Sequence, residues 1–152
     1  MIGVISDTHG LVRPEVFEVF QGVEMILHAG DIGHEEVLRT LETIAPVVAV
    51  RGNNDRQTWA DSLPLSQVVE QGNLFFYMLH EVAHLDLDPA AADMHAVIFG
   101  HSHRPMVEYR KGVLFLNPGS AGPRRFSLPV TVARLTIKNA IIHPEIIQLQ
   151  PT

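Results

Sequence analysis

The first third of the chain alternates short apolar runs with stretches of helix-like spacing. Residues 1–5, 24–29 and 47–50 are apolar runs of strand length. Between them, residues 13–22 and 35–44 carry apolar side chains three or four positions apart, which is the spacing of an amphipathic helix. The pattern predicts strand, helix, strand, helix, strand. This order favours a parallel sheet whose functional loops gather at its carboxyl edge.

The second half is richer in short strands. We predict strands at residues 67–69, 74–79, 96–99, 106–109 and 113–116, and a terminal hairpin of residues 131–137 and 140–147. Residues 81–93 contain Pro89 and several aspartates, and they are predicted to form an irregular connection followed by about one helical turn. The expected class is α/β, with one domain over residues 1–152.

Composition narrows the class of protein. The chain is 46% hydrophobic and 18% charged, and no apolar run approaches the roughly 18 residues needed to cross a bilayer. No basic segment or cleavage site of a secretory signal precedes the first strand, so we expect a cytoplasmic protein without a membrane association. The net charge of -6 argues against stable nucleic-acid binding. There is no cysteine, so any metal would be held by nitrogen and oxygen ligands.

Polar residues that bind metals follow the predicted strands. Asp7 and His9 come directly after the first strand, Asp31 after the second and Asn53 after the third. Three of the nine histidines, His80, His101 and His103, follow later strands in the same way. Each position also has a structural interpretation, since Asp7 could cap a helix and Asn53 could form a turn. His84 is a rival to His80, because both follow the same strand.

The ordered set of motifs resembles the calcineurin-like metallophosphoesterases, in particular their small bacterial and archaeal phosphodiesterases. The motifs are Asp7-Thr8-His9, Gly30-Asp31, Gly52-Asn53-Asn54-Asp55, His80, Gly100-His101-Ser102-His103 and Asn117-Pro118-Gly119-Ser120. Each motif is weak alone, whereas the ordered set is specific. The resemblance implies a four-layer αββα sandwich, in which two sheets pack face to face with helices outside.

The resemblance also implies a dinuclear metal site. Asp7, His9 and His103 would hold the first ion, Asn53, His80 and His101 would hold the second, and the Asp31 carboxylate would bridge the two. In extended backbone, His101 and His103 would project to the same side and could serve both ions. The resemblance to this family favours Mn²⁺ as the metal, although Fe²⁺, Zn²⁺, Ni²⁺ and Mg²⁺ also suit nitrogen and oxygen ligands.

The implied reaction is hydrolysis of a small phosphodiester by a metal-activated hydroxide. Asp31 and His101 would take part in catalysis. Asn54 occupies the position of a family histidine thought to assist the leaving group, and it cannot act as an acid, which predicts a preference for acidic leaving alcohols. Arg124 and Arg125 are the best nearby candidates for binding the phosphate.

Two other functions remain open at this point. The superfamily includes a scaffold subunit of a membrane-trafficking coat with this fold and an impaired site, and it also includes phosphomonoesterases and nucleotidases. Glu81 follows His80 where the family usually has Gly, which could alter the approach to the cleft. Substrate specificity is expected in residues 81–93 and 121–128, and exposed C-terminal strands would permit a homodimer.

Overall fold

The computed structural model describes residues 1–125 and 127–149. In chain order, the helices and strands of these residues are β1 (Ile2–Ile5), α1 (Pro14–Val19), β2 (Met25–His28), α2 (Glu35–Glu42), β3 (Val47–Ala49), β4 (Ser66–Gln71), β5 (Leu74–Leu79), β6 (Ala96–Ile98), β7 (Met106–Arg110), β8 (Val113–Asn117), β9 (Thr131–Lys138) and β10 (Ile141–Gln148). Short 3₁₀ helices lie at Thr58–Ser62 and Val82–His84.

The strands form two five-stranded sheets. The first has the order β10-β9-β1-β2-β3, and the second has the order β4-β5-β6-β8-β7. The strands β1, β2 and β3 are parallel, as predicted, and β5, β6 and β8 form a parallel set in the second sheet. Each sheet therefore presents three carboxyl-terminal strand ends, and the loops after these six ends build the site described below.

The two sheets pack face to face through alternating side chains. In β1 and β2, Val4 and Leu27 point into the cluster between the sheets, and the second sheet contributes Phe76, Ile98 and Leu116 to the same cluster. These side chains are fully buried. Because successive side chains of a strand point to opposite faces of the sheet, one set of side chains forms this central core and the other set packs against the outer layers.

The outer face of the first sheet is covered by the two helices. Val16 lies on α1 and Phe20 directly follows it, Val37 and Leu41 lie on α2, and all four belong to the same buried cluster as Ile26. The outer face of the second sheet is covered differently, by apolar side chains of the irregular segment that includes Val82, Leu85, Leu87, Ala90 and Met94. The implied αββα arrangement is confirmed, with a fourth layer made of a 3₁₀ helix and loop.

Several element boundaries differ from the prediction. The helix α1 ends at Val19 and α2 at Glu42, two or three residues earlier than their apolar spacing suggests, while the 3₁₀ helix Thr58–Ser62 was not predicted. The terminal hairpin is confirmed. Its turn residues Asn139 and Ala140 have φ of 54° and 61°, which is the left-handed pair that a tight hairpin requires and that Asn adopts readily.

Two expectations from the sequence stay predictions. Among the described residues, no helix is long and apolar enough to cross a membrane. The cytoplasmic location was inferred from the sequence and stays a prediction. So does the homodimer through the C-terminal strands, where β10 forms the edge of its sheet and Ile141 is exposed.

Candidate metal centre

Asp7 lies in the loop that follows the carboxyl end of β1, and its side chain is buried. Ser6 Oγ donates a 2.7 Å hydrogen bond to Asp7 Oδ2, and the His101 amide donates to the same oxygen at 3.1 Å. Asp7 Oδ2 thus accepts two hydrogen bonds from the protein itself. Oδ1 has no hydrogen-bond partner among the described residues and faces imidazoles instead.

Three imidazoles surround this free oxygen. The Nε2 atoms of His103, His80 and His9 lie 3.3, 3.8 and 4.0 Å from Asp7 Oδ1. Asp7, His9 and His103 form a group whose ligand atoms lie within 4.8 Å of one another. These are the residues assigned to the first ion from the resemblance, and the loops after β1 and β6 bring them together.

Asp31 and His80 form the second part of the centre. His80 Nδ1 lies 2.7 Å from the Ala29 carbonyl oxygen, which can only accept, so Nδ1 carries the proton. The Nε2 lone pair of neutral His80 then points at Asp31 Oδ2, 3.3 Å away. Asp7, Asp31 and His80 make a second group of atoms within 4.8 Å, so Asp7 is common to both groups.

The arrangement fits a bound cation. Asp7 Oδ1, His9 Nε2, His80 Nε2 and His103 Nδ1 are buried and lack a hydrogen-bond partner among the described residues. Carboxylate oxygens and an imidazole lone pair repel one another unless a positive charge lies between them. A proton on His80 can supply one such charge, and nitrogen and oxygen donors of this kind are also typical ligands of divalent metals.

The charges of the centre shift its acid–base equilibria. Burial alone would raise the pKa of Asp7 and of Asp31, but the imidazoles of His103 and His80 outweigh it and lower both pKa values. Burial would lower the pKa of His80, yet the two carboxylates raise it above the ordinary value. The pKa of His9 is lowered, mainly by burial, and the nearby positive charge of Arg125 adds to this effect.

Asn54 holds Asp31 with two donors. Its backbone amide donates to Asp31 Oδ1 at 2.9 Å, and its side-chain amide donates to Oδ2 at 3.0 Å. The side chain thus orients the carboxylate that faces His80. Asn53 is exposed and lines the cleft beside the centre together with His80.

His101 is placed differently from the other histidines. Its Nε2 lies 3.4 Å from Glu81 Oε1, and its ring is partly exposed and belongs to neither group of close ligand atoms. The expectation of extended backbone is wrong, because His101 and His103 have φ of 73° and 62°. The loop instead turns sharply at both residues, which directs His103 to Asp7 and His101 to the mouth of the cleft.

The backbone of the centre is strained. Among the described residues, nine non-glycine residues have positive φ, and five of these are candidate ligands: Asp7, His9, Asp31, His101 and His103. Such conformations cost on the order of 1 kcal/mol or more each and persist where surrounding contacts enforce them. Close packing is one such contact, since a side chain at Gly52 would collide with the Asp31 backbone and Oδ1.

Two buried polar residues support the loops and were not assigned to the site from the sequence. Asp55 accepts hydrogen bonds from the amides of Ile32, Gly33 and Gly52 at 2.9 to 3.2 Å, so it fastens the loop after β2 to the loop after β3. From its place in the turn-rich Gly52-Asn53-Asn54-Asp55 motif, a role in orienting a metal ligand and a simple turn role are equally expected.

His28 supports the first two loops. The Gly30 amide donates to His28 Nδ1, so the proton of the neutral ring sits on Nε2, which donates to Thr8 Oγ1 at 3.0 Å. Thr8 in turn donates to the Ile32 carbonyl. Burial lowers the pKa of His28 to about 4, which keeps the ring neutral.

The later Asn-Pro-Gly-Ser motif also supports the centre. Asn117 donates to the Gly100 carbonyl and to Ser102 Oγ, both at 3.1 Å, and thereby braces the loop that carries His101. Ser120 Oγ donates to the Asp7 carbonyl at 3.1 Å. The motif therefore links the end of β8 to the ends of β1 and β6.

The predicted phosphate-binding arginines lie to one side. Arg124 and Arg125 are exposed, and the charge of Arg125 reaches His9. Neither lines the cleft that the described residues form on the other side, beside His80. Phe126, which belongs to the loop of residues 121–128 predicted to set specificity, lies outside the described residues.

Acids and imidazoles gathered at the strand ends of two stacked sheets provide the kind of donor set that a metal-dependent hydrolase uses. Residues 1–140 match the family model described as "Calcineurin-like phosphoesterase superfamily domain". The chain belongs to this superfamily, whose members use divalent metals.

Comparisons with individual proteins agree with this assignment. The chain is 37% identical over 163 residues to a probable metallophosphoesterase of Methanothermobacter thermautotrophicus, covering 97% of this chain and 92% of the relative. A solved structure of an archaeal phosphodiesterase is 25% identical, with a TM-score of 0.77 over 97% of this chain and 99% of that one. The crystal structure of Chaetomium thermophilum Vps29 shares the fold, with a TM-score of 0.77 at 22% identity over 97% and 96% of the two chains.

Proposed function

We propose that the protein is a phosphodiesterase that works with two divalent metal ions. The observation that carries this proposal is the convergence of two buried carboxylates and three imidazole nitrogens on one small volume. In the part of the chain that the structure describes, no Arg or Lys side chain forms an ion pair with Asp7 or Asp31. A metal ion is the natural partner for such a set of donors.

The family resemblance, together with the two groups of close ligand atoms that have Asp7 in common, suggests how the ions would be held. Asp7, His9 and His103 would hold one ion, and Asp31 and His80 would hold the other with the side chain of Asn53. Asp31 Oδ2 lies 3.3 Å from His80 Nε2 and 3.9 Å from His9 Nε2, which suits a carboxylate shared between two ions. When bound, the ions would supply positive charge for the phosphate and lower the pKa of a bound water. Mn²⁺ is the proposed metal.

The chain's own residues would position the substrate and the ligands. Asn54 would hold the Asp31 carboxylate in one orientation through its two hydrogen bonds. His101 would contact a phosphate oxygen at the mouth of the cleft, with its ring held by Glu81, whose Oε1 lies 3.4 Å from His101 Nε2. Arg125 would add positive charge beside His9. The proposed catalytic residues are thus Asp31, His101 and, as a positioning residue, Asn54.

The charges around the centre favour a diester over a monoester. The cleft beside His80 contains one cation, Arg51, among its described lining residues, and two acids, Glu81 and Asp86. A phosphodiester carries one negative charge, whereas a monoester dianion would need further cationic groups to offset these carboxylates. A phosphomonoesterase or nucleotidase is therefore the less favoured reaction.

A scaffold role is the alternative from a different class of function, and the shared fold with Vps29 is the observation that favours it. The donor set of this chain argues for catalysis, since every acid and imidazole of the two groups is present. Fold alone does not decide between the two functions.

The test is hydrolysis of bis(para-nitrophenyl) phosphate beside para-nitrophenyl phosphate by protein that was stripped with a chelator and reloaded with Mn²⁺. We expect metal-dependent turnover of the diester, slow turnover of the monoester, and a loss of about 100-fold or more in Asp31→Asn. Faster turnover of the monoester would support the nucleotidase class. Folded, metal-loaded protein that hydrolyses neither compound would contradict the enzyme and favour the scaffold.

A further inference from the structure

A cleft of about 520 Å³ opens beside the metal centre on the side of His80. It shares Gly52, Asn53 and His80 with the centre, so a group bound in it would lie next to a phosphate at the proposed metal site. Its volume lies within the range of pockets that bind small organic ligands. Neither Arg124 nor Arg125 belongs to its described lining, so it is distinct from the phosphate-binding side predicted from the sequence.

The wall of the cleft is apolar. Leu65, Tyr77 and Leu79 line it, and Leu65 is 65% exposed although it is a large aliphatic side chain. Tyr77 and Leu79 belong to the core on the outer face of the second sheet, so this part of the wall is rigid. Together the three side chains form an apolar wall beside the polar residues of the centre, which is the usual composition of a ligand pocket.

The position of Leu65 is determined by the backbone. The Arg51 amide donates a 2.8 Å hydrogen bond to the Pro64 carbonyl, which ties the segment before β4 to the end of β3. The 3₁₀ helix Thr58–Ser62 precedes this segment and closes with the hydrogen bond from the Leu63 amide to the Ala60 carbonyl. Leu65 is therefore held beside the metal centre by the same strand end that carries Asn53.

The rim of the cleft is polar and of mixed charge. Arg51 lies on one side, with its guanidinium 3.9 Å from Asp61, and Glu81, His84 and Asp86 lie on the other. The carboxylates disfavour a second anionic group of the substrate, such as another phosphate. A neutral group with an apolar face and polar edges matches both the wall and the rim.

We propose that this cleft binds one organic arm of the phosphodiester, an uncharged group with an apolar face, of benzyl to nucleoside size. The inference rests on the proposed phosphodiester site, and it names the part of the chain that selects the substrate. Leu65 is the specificity-determining residue. Burying an apolar ring against Leu65, Tyr77 and Leu79 stabilises the complex in proportion to the apolar area removed from water.

The test compares dibenzyl phosphate with dimethyl phosphate, two diesters of equal charge and different arm size. Their dissociation constants are measured by calorimetry on Mn²⁺-loaded protein, and their inhibition constants are measured against hydrolysis of methyl para-nitrophenyl phosphate. We expect the wild type to bind dibenzyl phosphate at least about tenfold more tightly than dimethyl phosphate. In Leu65→Asn we expect this preference to fall about fivefold, because an amide replaces the apolar wall. Leu65 is so exposed that this substitution does not threaten folding.

Ile141→Asn is the matched control. Ile141 is 58% exposed and lies near the opposite, amino-terminal ends of β5 and β8. It should keep the full preference for dibenzyl phosphate. Equal binding of the two diesters by the wild type, or a preference that survives in Leu65→Asn, would overturn the inference.

The binding measurement separates this inference from the proposed reaction. If the preference depends on Leu65 but methyl para-nitrophenyl phosphate is not hydrolysed, the cleft assignment stands and the phosphodiesterase activity fails. If hydrolysis occurs without any preference for the larger arm, the activity stands and the cleft assignment fails.

Discussion

His80 Nε2 lies 3.3 Å from Asp31 Oδ2, while His80 Nδ1 donates to the carbonyl of Ala29 at 2.7 Å. The carbonyl fixes the orientation of the ring, so the remaining nitrogen must face the carboxylate. In metal-free protein a proton on Nε2 relieves the repulsion, and a divalent cation bound there would replace that proton. The first prediction follows from this competition.

Metal binding should depend on pH through His80, whose pKa is raised by Asp31 and Asp7 despite its burial. The proton is bound below that raised pKa and must leave when the metal binds. We expect Mn²⁺ affinity to fall on the order of tenfold from pH 8 to pH 6, with proton release. Calorimetry in buffers of different ionisation enthalpy measures both quantities. The exposed His143→Gln variant should behave as wild type, and uptake of protons on binding would contradict this assignment.

Asn54→Ala tests the orientation of Asp31. The substitution removes the side-chain donor to Oδ2 and keeps the backbone donor to Oδ1. We expect kcat to fall about tenfold with KM nearly unchanged, and Mn²⁺ affinity to weaken. The acid limb of the pH–rate profile should also move to higher pH, because a hydrogen bond that lowers the pKa of Asp31 is lost. Asn73→Ala, in the β4–β5 turn, is the matched control.

His28→Gln should change how stability depends on pH. Burial lowers the folded-state pKa of His28 to about 4, whereas the unfolded chain binds this proton near its ordinary value of 6.5. Between these values the unfolded state holds more protons, so the free energy of unfolding falls as the pH falls. From about pH 7 to about pH 4.5 the wild type should lose about 2 kcal/mol more than the variant. Chemical denaturation of metal-free protein at both pH values measures this difference, and parallel curves would refute it.

Arg125→Gln tests the charge beside His9. Arg125 acts on the pKa of His9 through its charge, which places the guanidinium near the proposed phosphate position. We expect KM for bis(para-nitrophenyl) phosphate to rise roughly three- to tenfold in low salt with little change in kcat, and the effect to shrink in high salt. Arg124→Gln serves as the neighbouring control. An equal effect of both substitutions would indicate only a general surface charge.

The sequence predicts the strand ends of this site well, because a strand that enters the core delivers the next side chain to one edge of the sheet. Asp7 and Asp31 follow β1 and β2 in this way, and the structure places them 3.3 to 4.0 Å from the imidazoles that share their groups. The short apolar runs also predict most of the strands, whereas the packing of two sheets face to face was implied by the family resemblance. These features depend on the local pattern of apolar and polar residues, which is why the sequence predicts them.

Other features depend on contacts between distant segments and gave no local signal. Leu65 reaches the metal centre only because the Arg51 amide pairs with the Pro64 carbonyl. The backbone at His101 is not extended, because its φ is 73°. Its side chain therefore points to Glu81, which belongs to another loop. The segment that covers the second sheet is predicted from the sequence only as an irregular connection with about one helical turn, because Pro89 and several aspartates interrupt it, and its packing on the sheet gives no local signal. Tertiary packing decides each of these positions.

The central claim is that the centre binds two metal ions close together. Electron paramagnetic resonance of protein loaded with Mn²⁺ tests it directly, because two neighbouring Mn²⁺ ions couple magnetically and an isolated ion gives a simple spectrum. We predict two ions per chain and a coupled spectrum in the wild type, with loss of the coupling in Asp31→Asn. A single uncoupled ion, or no bound metal in folded wild-type protein, would contradict the dinuclear centre.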